Sequence, residues 1–142
     1  EAERAAEIAF KLQREKLEAE KNNQSKEAKL RVQLLSGDDP LVRCKAEIEL
    51  IGDCGMNLWK VCVELEDQVL TLSGLNSDNV SFHEKVLTIK SEYGLKDMEV
   101  RDLFDSWDIR NDMFHPPQMK PNLNHATLMI ASLNILESLH SQ

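Results

Sequence analysis

The segment RNDMFH, residues 110–115, brings together three side chains that suit acid–base chemistry at a phosphate. Histidine titrates near neutral pH, so His115 can serve as a general base or a general acid. Arginine stays charged and binds a phosphate through two parallel hydrogen bonds, a role open to Arg110. Asn111 can orient a neighbouring group or donate a hydrogen bond to the phosphate.

Metal chemistry has weaker support in the sequence. Zinc sites need clustered ligand pairs, and no two of the four histidines lie within four residues of each other. Four aspartates recur at spacings of three, three and four, which places them roughly on one helix face and would allow a hard cation to bind. A solvated face is the commoner reason for such a pattern, so we expect no metal and no cofactor. These residues are His83, His115, His125 and His140, and Asp102, Asp105, Asp108 and Asp112.

The three cysteines, Cys44, Cys54 and Cys62, are odd in number and show no CxxC spacing. This pattern is typical of buried free thiols in a reducing compartment. A Cys–His pair with a nucleophilic thiol is possible in three dimensions. Cys44 and Cys62, however, lie on the apolar stripe of a predicted helix, where a thiol is inert. The first residue is Glu rather than Met and no signal-peptide pattern follows it, so we expect a segment of a longer chain. Together with the free thiols, this favours an intracellular protein, cytoplasmic or nuclear.

The spacing R-N-x-x-x-H at Arg110, Asn111 and His115 resembles the motif of the HEPN superfamily, and the helix layout over about residues 40–142 is similar as well. The resemblance implies a small all-α domain of four or five helices. Many members are dimers, and several are endoribonucleases that need no metal. By the same resemblance, Arg110, Asn111 and His115 would be the catalytic residues and single-stranded RNA a substrate.

The spacing of the motif sets a geometric condition. On a straight helix Arg110 and His115 lie about 140° apart around the axis, whereas Asn111 and His115 share a face. One copy of the motif therefore makes a poor site, and the resemblance implies that two subunits bring two motifs together. We expect a homodimer formed through the bundle, where Gly52 and Gly55 would let helices approach closely.

The alternative is a non-catalytic module for dimerisation or protein interaction within a larger assembly. Asp105, Asp108 and Asp112 surround the motif with negative charge, which repels a phosphate. In this interpretation Arg110 pairs with a nearby aspartate and His115 caps its helix.

Length and composition limit the fold that positions these residues. The chain of 142 residues suits one domain with a core, and its 5 glycines and 4 prolines are too few for a many-stranded all-β fold. No apolar run approaches the ~20 residues of a membrane span, so we expect no membrane partner. The net charge is −8, with +1 over residues 1–35 and −9 over residues 36–142, so the body does not attract nucleic acid by its overall field.

The composition of residues 1–35 predicts a charged helical arm or coiled-coil segment, because this segment contains no glycine or proline and is rich in helix formers. Its end should dock on the body through Leu30, Val32, Leu34 and Leu35. Residues 36–142 predict a helical bundle domain that starts at the N-cap Asp39.

Within the bundle, three-four spacing of apolar residues predicts one long helix over 41–72, with Trp59 widening its buried face. A second helix should run from about residue 79 to Tyr93, and a third from about Asp97 towards Phe114, ending near His115. A final amphipathic helix follows the loop 116–122. The predicted fold is thus all-α, a four- to five-helix bundle with an extended N-terminal helix.

Overall fold

The computed structural model describes residues 2–76 and 79–141, and over these ranges the chain forms six α-helices and no strand. The all-α prediction is therefore confirmed. Helix α6 lies at the centre of the bundle, since it contacts α2, α3 and α5. In the described part of the chain, no helix combines the length and apolar character that crossing a bilayer requires. The helices are α1 (Ala2–Ser36), α2 (Pro40–Ile51), α3 (Gly55–Ser73), α4 (Phe82–Tyr93), α5 (Asp97–Phe114) and α6 (Leu123–Leu139).

Helix α1 forms the predicted N-terminal helix, and it packs against α2. Leu30 and Leu34 are half-buried, as expected of residues that dock its end. Val32 is exposed instead, because it lies half a turn away from these two leucines. The side chain of Leu35 lies outside the described residues. Asp39 accepts a hydrogen bond from the backbone N–H of Leu41 at 2.9 Å and so caps α2, as predicted.

The prediction of one helix over 41–72 is wrong, because the chain breaks into α2 and α3 between Ile51 and Gly55. Gly52 adopts a left-handed conformation with φ 92°, and its N–H donates to the carbonyl of Ile48 at 2.8 Å. This conformation is a common helix ending that glycine adopts without steric cost. Asp53 then accepts a hydrogen bond at 2.9 Å from the N–H of Gly55, the first residue of α3.

A buried carboxylate accepts hydrogen bonds from the first turn of α3. Glu47, on α2, is 0% exposed. Its two oxygens accept hydrogen bonds from the backbone N–H groups of Met56 at 3.0 Å and Asn57 at 2.9 Å. The side-chain amide of Asn57 also donates to Glu47, at 2.6 Å. The N-terminus of α3 thus supplies the positive end of a helix dipole to a carboxylate from the preceding helix.

The remaining helices are close to their predicted positions. Helix α4 begins at Phe82, after the N-cap Ser81, rather than near residue 79. Gly94 ends α4 and Asp97 begins α5, as expected. The inward-facing side chains of α4 and α5 pack into one hydrophobic core with those of α3 and α6. Among the residues of this core are Val86, Ile89, Val100, Leu103, Met129, Leu133 and Leu136.

Candidate functional site

The motif occupies the last turn of α5. The helix ends at Phe114, and His115 takes an extended conformation with φ −102° and ψ 137°. A residue that precedes proline disfavours the helical region, so Pro116 explains this ending. The backbone N–H of His115 still donates to the carbonyl of Asn111 at 2.9 Å. The predicted helix end near His115 is therefore confirmed.

Arg110 is half-buried and is held by contacts on several sides. Its Nε donates to Oε1 of Glu66, on α3, at 2.9 Å. One of its terminal nitrogens donates to Oδ1 of Asn111 at 3.0 Å. The guanidinium lies 4.8 Å from the ring centroid of Trp107 and 5.2 Å from that of Phe114. Arg110 thus pairs with a glutamate of another helix, not with an aspartate of its own helix, because its side chain reaches across to α3.

His115 is exposed at the end of α5. Within residues 2–76 and 79–141, its imidazole makes no hydrogen bond or ion pair, so the capping contact comes from the backbone alone. Asn111 is half-buried and links the two other motif residues, because its side chain accepts from Arg110 and its carbonyl accepts from His115. One chain therefore joins Arg110 to Asn111 through their side chains but does not join the imidazole to either.

The surroundings of the motif are acidic. Asp105, Asp108 and Asp112 are exposed on α5. Among the residues that the structure describes, no group of three or more histidine, cysteine or acidic side chains is placed to hold a metal ion. A carboxylate also neutralises Arg110 directly, through Glu66. This arrangement weakens the attraction of a single chain for an anionic ligand.

The cysteines are buried free thiols, as predicted. Burial raises the pKa of Cys62 to about 12. A hydrogen bond to Cys44, together with burial, raises the pKa of the Cys54 thiol. The Cys54 thiol also donates to the carbonyl of Pro121 at 3.5 Å. Cys54 and Cys62 thus stay protonated near neutral pH and do not serve as nucleophiles.

The sequence did not predict the apolar surface that lies beside the motif. Trp59 was expected to be buried, but it is 52% exposed, because α3 turns it towards the end of α5 rather than into the core. Its ring meets that of Phe114 edge to face, with the centroids 4.9 Å apart. Met56 and Val63, on the same side of α3, are 59% and 43% exposed. We call Met56, Trp59, Lys60, Val63 and Asp67 the α3 outer face.

A cleft of 410 Å³ lies on the other side of Phe114, between the end of α5, the start of α3 and the loop that leads to α6. Phe114, Met113 and Met119 form its apolar lining, and Lys120 contributes a positive charge. Asp53 also lines the cleft, but its carboxylate is engaged by the N–H of Gly55.

Arg110 and Glu66 should be energetically coupled. We expect Arg110→Ala to lower the free energy of unfolding by about 1–2 kcal/mol, because it removes a half-buried ion pair and two aromatic contacts. In a double-mutant cycle with Glu66→Ala, the coupling energy should be about 0.5–1 kcal/mol and should shrink in high salt. Urea titrations at low and high salt measure both quantities.

Arg101→Ala is the matched control, since Arg101 is an exposed arginine on the same helix. Its effect should stay within about 0.5 kcal/mol. Equal effects of the two substitutions, with no coupling to Glu66, would show that the contacts of Arg110 do not stabilise the fold.

Comparison with family models, curated proteins and solved structures finds no match for this chain. The geometry and chemistry of the motif and of the neighbouring α3 outer face are therefore the basis for a functional assignment.

Proposed function

We propose that this chain is a HEPN-like helical domain that acts as a non-catalytic protein-interaction module of a larger intracellular protein. The observation that supports the proposal is the environment of Arg110. Its charge is paired with Glu66 at 2.9 Å, and its guanidinium packs against Trp107 and Phe114. In this state Arg110 joins α5 to α3 instead of presenting an unpaired cation to a phosphate.

The α3 outer face supplies the contact surface of such a module. Apolar residues exposed side by side on one helix are characteristic of surfaces that bind another protein. Trp59 is also a residue type that contributes strongly to interface energies, because it buries a large rigid ring.

A metal-independent endoribonuclease is the second candidate, and the donors left on Arg110 favour it. A guanidinium carries five N–H donors, and the hydrogen bonds to Glu66 and Asn111 use two of them. The others can bind a phosphate. In this mechanism Arg110 holds the scissile phosphate, His115 acts as base or acid, and Asn111 supports them. The product would carry a 2′,3′-cyclic phosphate, and the nearby cleft would take a base of single-stranded RNA against Phe114.

Incubation with single-stranded RNA in EDTA separates the two candidates. For the interaction module we expect no cleavage above the buffer rate, for the wild type and for Arg110→Ala and His115→Ala alike. EDTA-resistant cleavage that both substitutions abolish, and that the control Arg101→Ala retains, would instead establish the nuclease. Cleavage that survives both substitutions would indicate a contaminating enzyme.

A further inference from the structure

Two of the three buried cysteines lie against each other. Cys44 belongs to α2 and Cys54 directly precedes α3, and both side chains are 0% exposed in the same hydrophobic core. The thiol of Cys54 donates a hydrogen bond to the sulfur of Cys44. Cys62, on α3, contacts no other thiol among the described residues. The described core thus contains one pair of touching thiols and one separate thiol.

The break between α2 and α3 creates this pair. On one continuous helix, residues 44 and 54 would lie about 15 Å apart along the axis. A disulfide joins cysteines whose Cα atoms lie within about 7 Å, so a continuous helix would exclude a bond between them. The helix ending at Gly52 lets the chain turn, and the turn brings Cys54 back to Cys44.

The two thiols differ in reactivity. The pKa of Cys44 is lowered from its ordinary value, chiefly because Cys54 donates a hydrogen bond to its sulfur. The positive charge of Arg43 acts in the same direction, whereas burial and the carboxylates of Glu47 and Asp39 oppose it. Cys44 is therefore the thiol of the pair that more readily becomes a thiolate, which is the form that reacts with peroxides.

Cys54 also holds the loop between α5 and α6. Its backbone N–H donates to the carbonyl of Pro121 at 3.4 Å. Its thiol lies 3.5 Å from the same carbonyl and 3.7 Å from that of Asn122, and donates to both. This loop contributes Met119 to the wall of the cleft beside the motif. A chemical change at the Cys54 thiol therefore acts on the wall of that cleft.

We propose that Cys44 and Cys54 form a reversible redox pair, which a hydroperoxide closes to a disulfide and a dithiol reopens. With hydrogen peroxide, the thiolate of Cys44 attacks one oxygen and the O–O bond breaks. The products are a sulfenic acid and hydroxide, which takes up the proton that Cys44 released and becomes water. Cys54 then gives its proton to the sulfenic oxygen as the S–S bond forms and the S–O bond breaks, and a second water leaves. Two thiols are oxidised by two electrons, and one peroxide is reduced to two waters.

Burial of the pair does not prevent this reaction. Hydrogen peroxide is nearly as small as water, so brief local openings of the chain suffice for its entry. The same burial keeps the thiols of other protein molecules away, which favours a bond within one chain over a bond between two chains.

Oxidation should loosen the loop. In the disulfide, Cys54 has no thiol proton to donate to the carbonyls of the loop, while its backbone N–H still donates. The amide of Met119 reports on the loop, since it donates to the carbonyl of Asp112 at 2.9 Å. Its hydrogen exchange should accelerate by roughly threefold to tenfold, as expected for the loss of one hydrogen bond. The amide of Gly94, which donates to Lys90 at the end of α4, should be unchanged.

Peptide mapping tests the pairing. The folded wild-type chain is treated with hydrogen peroxide, and its remaining free thiols are blocked with N-ethylmaleimide in urea. Trypsin cleaves after lysine and arginine, so the three cysteines fall in separate peptides, 44–45, 46–60 and 61–85. We expect peptide 44–45 to be linked to peptide 46–60 with the loss of two hydrogen atoms, and Cys62 to carry the blocking group. Dithiothreitol should reverse the link.

Serine variants supply the controls. Cys62→Ser should form the disulfide as the wild type does, whereas Cys44→Ser and Cys54→Ser should not form it. Cys54→Ser also keeps an O–H donor for the loop. Peroxide should therefore leave the exchange of Met119 unchanged in this variant.

Peroxide treatment that leaves peptides 44–45 and 46–60 unlinked, or that links either of them to peptide 61–85, would overturn the redox pair. A covalent dimer on a non-reducing gel would also overturn it, because the reactive thiols would then belong to different chains. A Cys44–Cys54 disulfide without faster exchange of Met119 would overturn its effect on the loop. These measurements involve neither a protein partner nor RNA, so their outcome is independent of the proposed function.

Discussion

Replacing Glu47 with alanine should lower the free energy of unfolding by about 3–5 kcal/mol. The substitution leaves the part-buried backbone N–H of Met56 and the buried backbone N–H of Asn57 without their acceptor, and it removes one of the two acceptors of the Asn57 side-chain amide. It also removes the negative charge that faces the N-terminus of α3. A domain of this size is stable by only about 5–15 kcal/mol, so the loss is a large fraction of the total. Urea denaturation followed by circular dichroism measures it.

Glu49→Ala is the control for this experiment, because Glu49 is an exposed glutamate on the same helix. Its cost should stay within about 0.5 kcal/mol. Glu47→Gln should be intermediate, since the amide keeps one acceptor oxygen but turns donor hydrogens towards another N–H group. Indistinguishable stabilities of Glu47→Ala and Glu49→Ala would show that the buried carboxylate does not hold α3 in place.

The break between α2 and α3 shows where sequence patterns mislead. Hydrophobic spacing continues across residues 52–54 because both helices turn their apolar sides to the same core. Spacing alone therefore cannot distinguish one helix from two. The local signal was present, since Gly52 is a residue type that ends helices and Asp53, directly after it, can accept a hydrogen bond from the start of the next helix. The contribution of Glu47 could not be predicted, because it depends on the fold of the break itself.

For the motif, too, the sequence predicts one structural feature and not another. Pro116 and Pro117 were enough to place the end of α5, since the effect of proline on the preceding residue is local. The partner of Arg110 could not be identified, because Glu66 lies 44 positions away in the sequence and only the packing of α3 against α5 brings it close. The functional roles of Arg110, Asn111 and His115 remain predictions that the RNA assay tests.

Exposure was the hardest property to predict. Trp59 flanks the apolar stripe of α3, and its size favours burial, yet it contacts solvent and Phe114. A residue at the border of a stripe becomes buried or exposed according to which neighbouring helix covers it. Here α4 and α6 cover α3, and its outer face stays open.

The core side of α5 should also be sensitive to substitution. Leu103 is 0% exposed and lies two turns before the motif on the same helix. We expect Leu103→Ala to cost about 3–5 kcal/mol, from the lost transfer free energy and from the cavity left in a packed core. The urea dependence of the unfolding free energy should stay unchanged, because the surface exposed on unfolding hardly changes.

Leu87→Ala gives the matched comparison, since this leucine is half exposed on α4 and should cost less than about 1 kcal/mol. A small effect of Leu103→Ala would mean that the core relaxes around the cavity or that α5 packs less tightly than the structure indicates. The packing of Leu103 also affects the contacts of the motif. A rigid core beneath α5 fixes the position of Arg110 relative to Glu66, so Leu103→Ala should weaken the coupling between these two side chains.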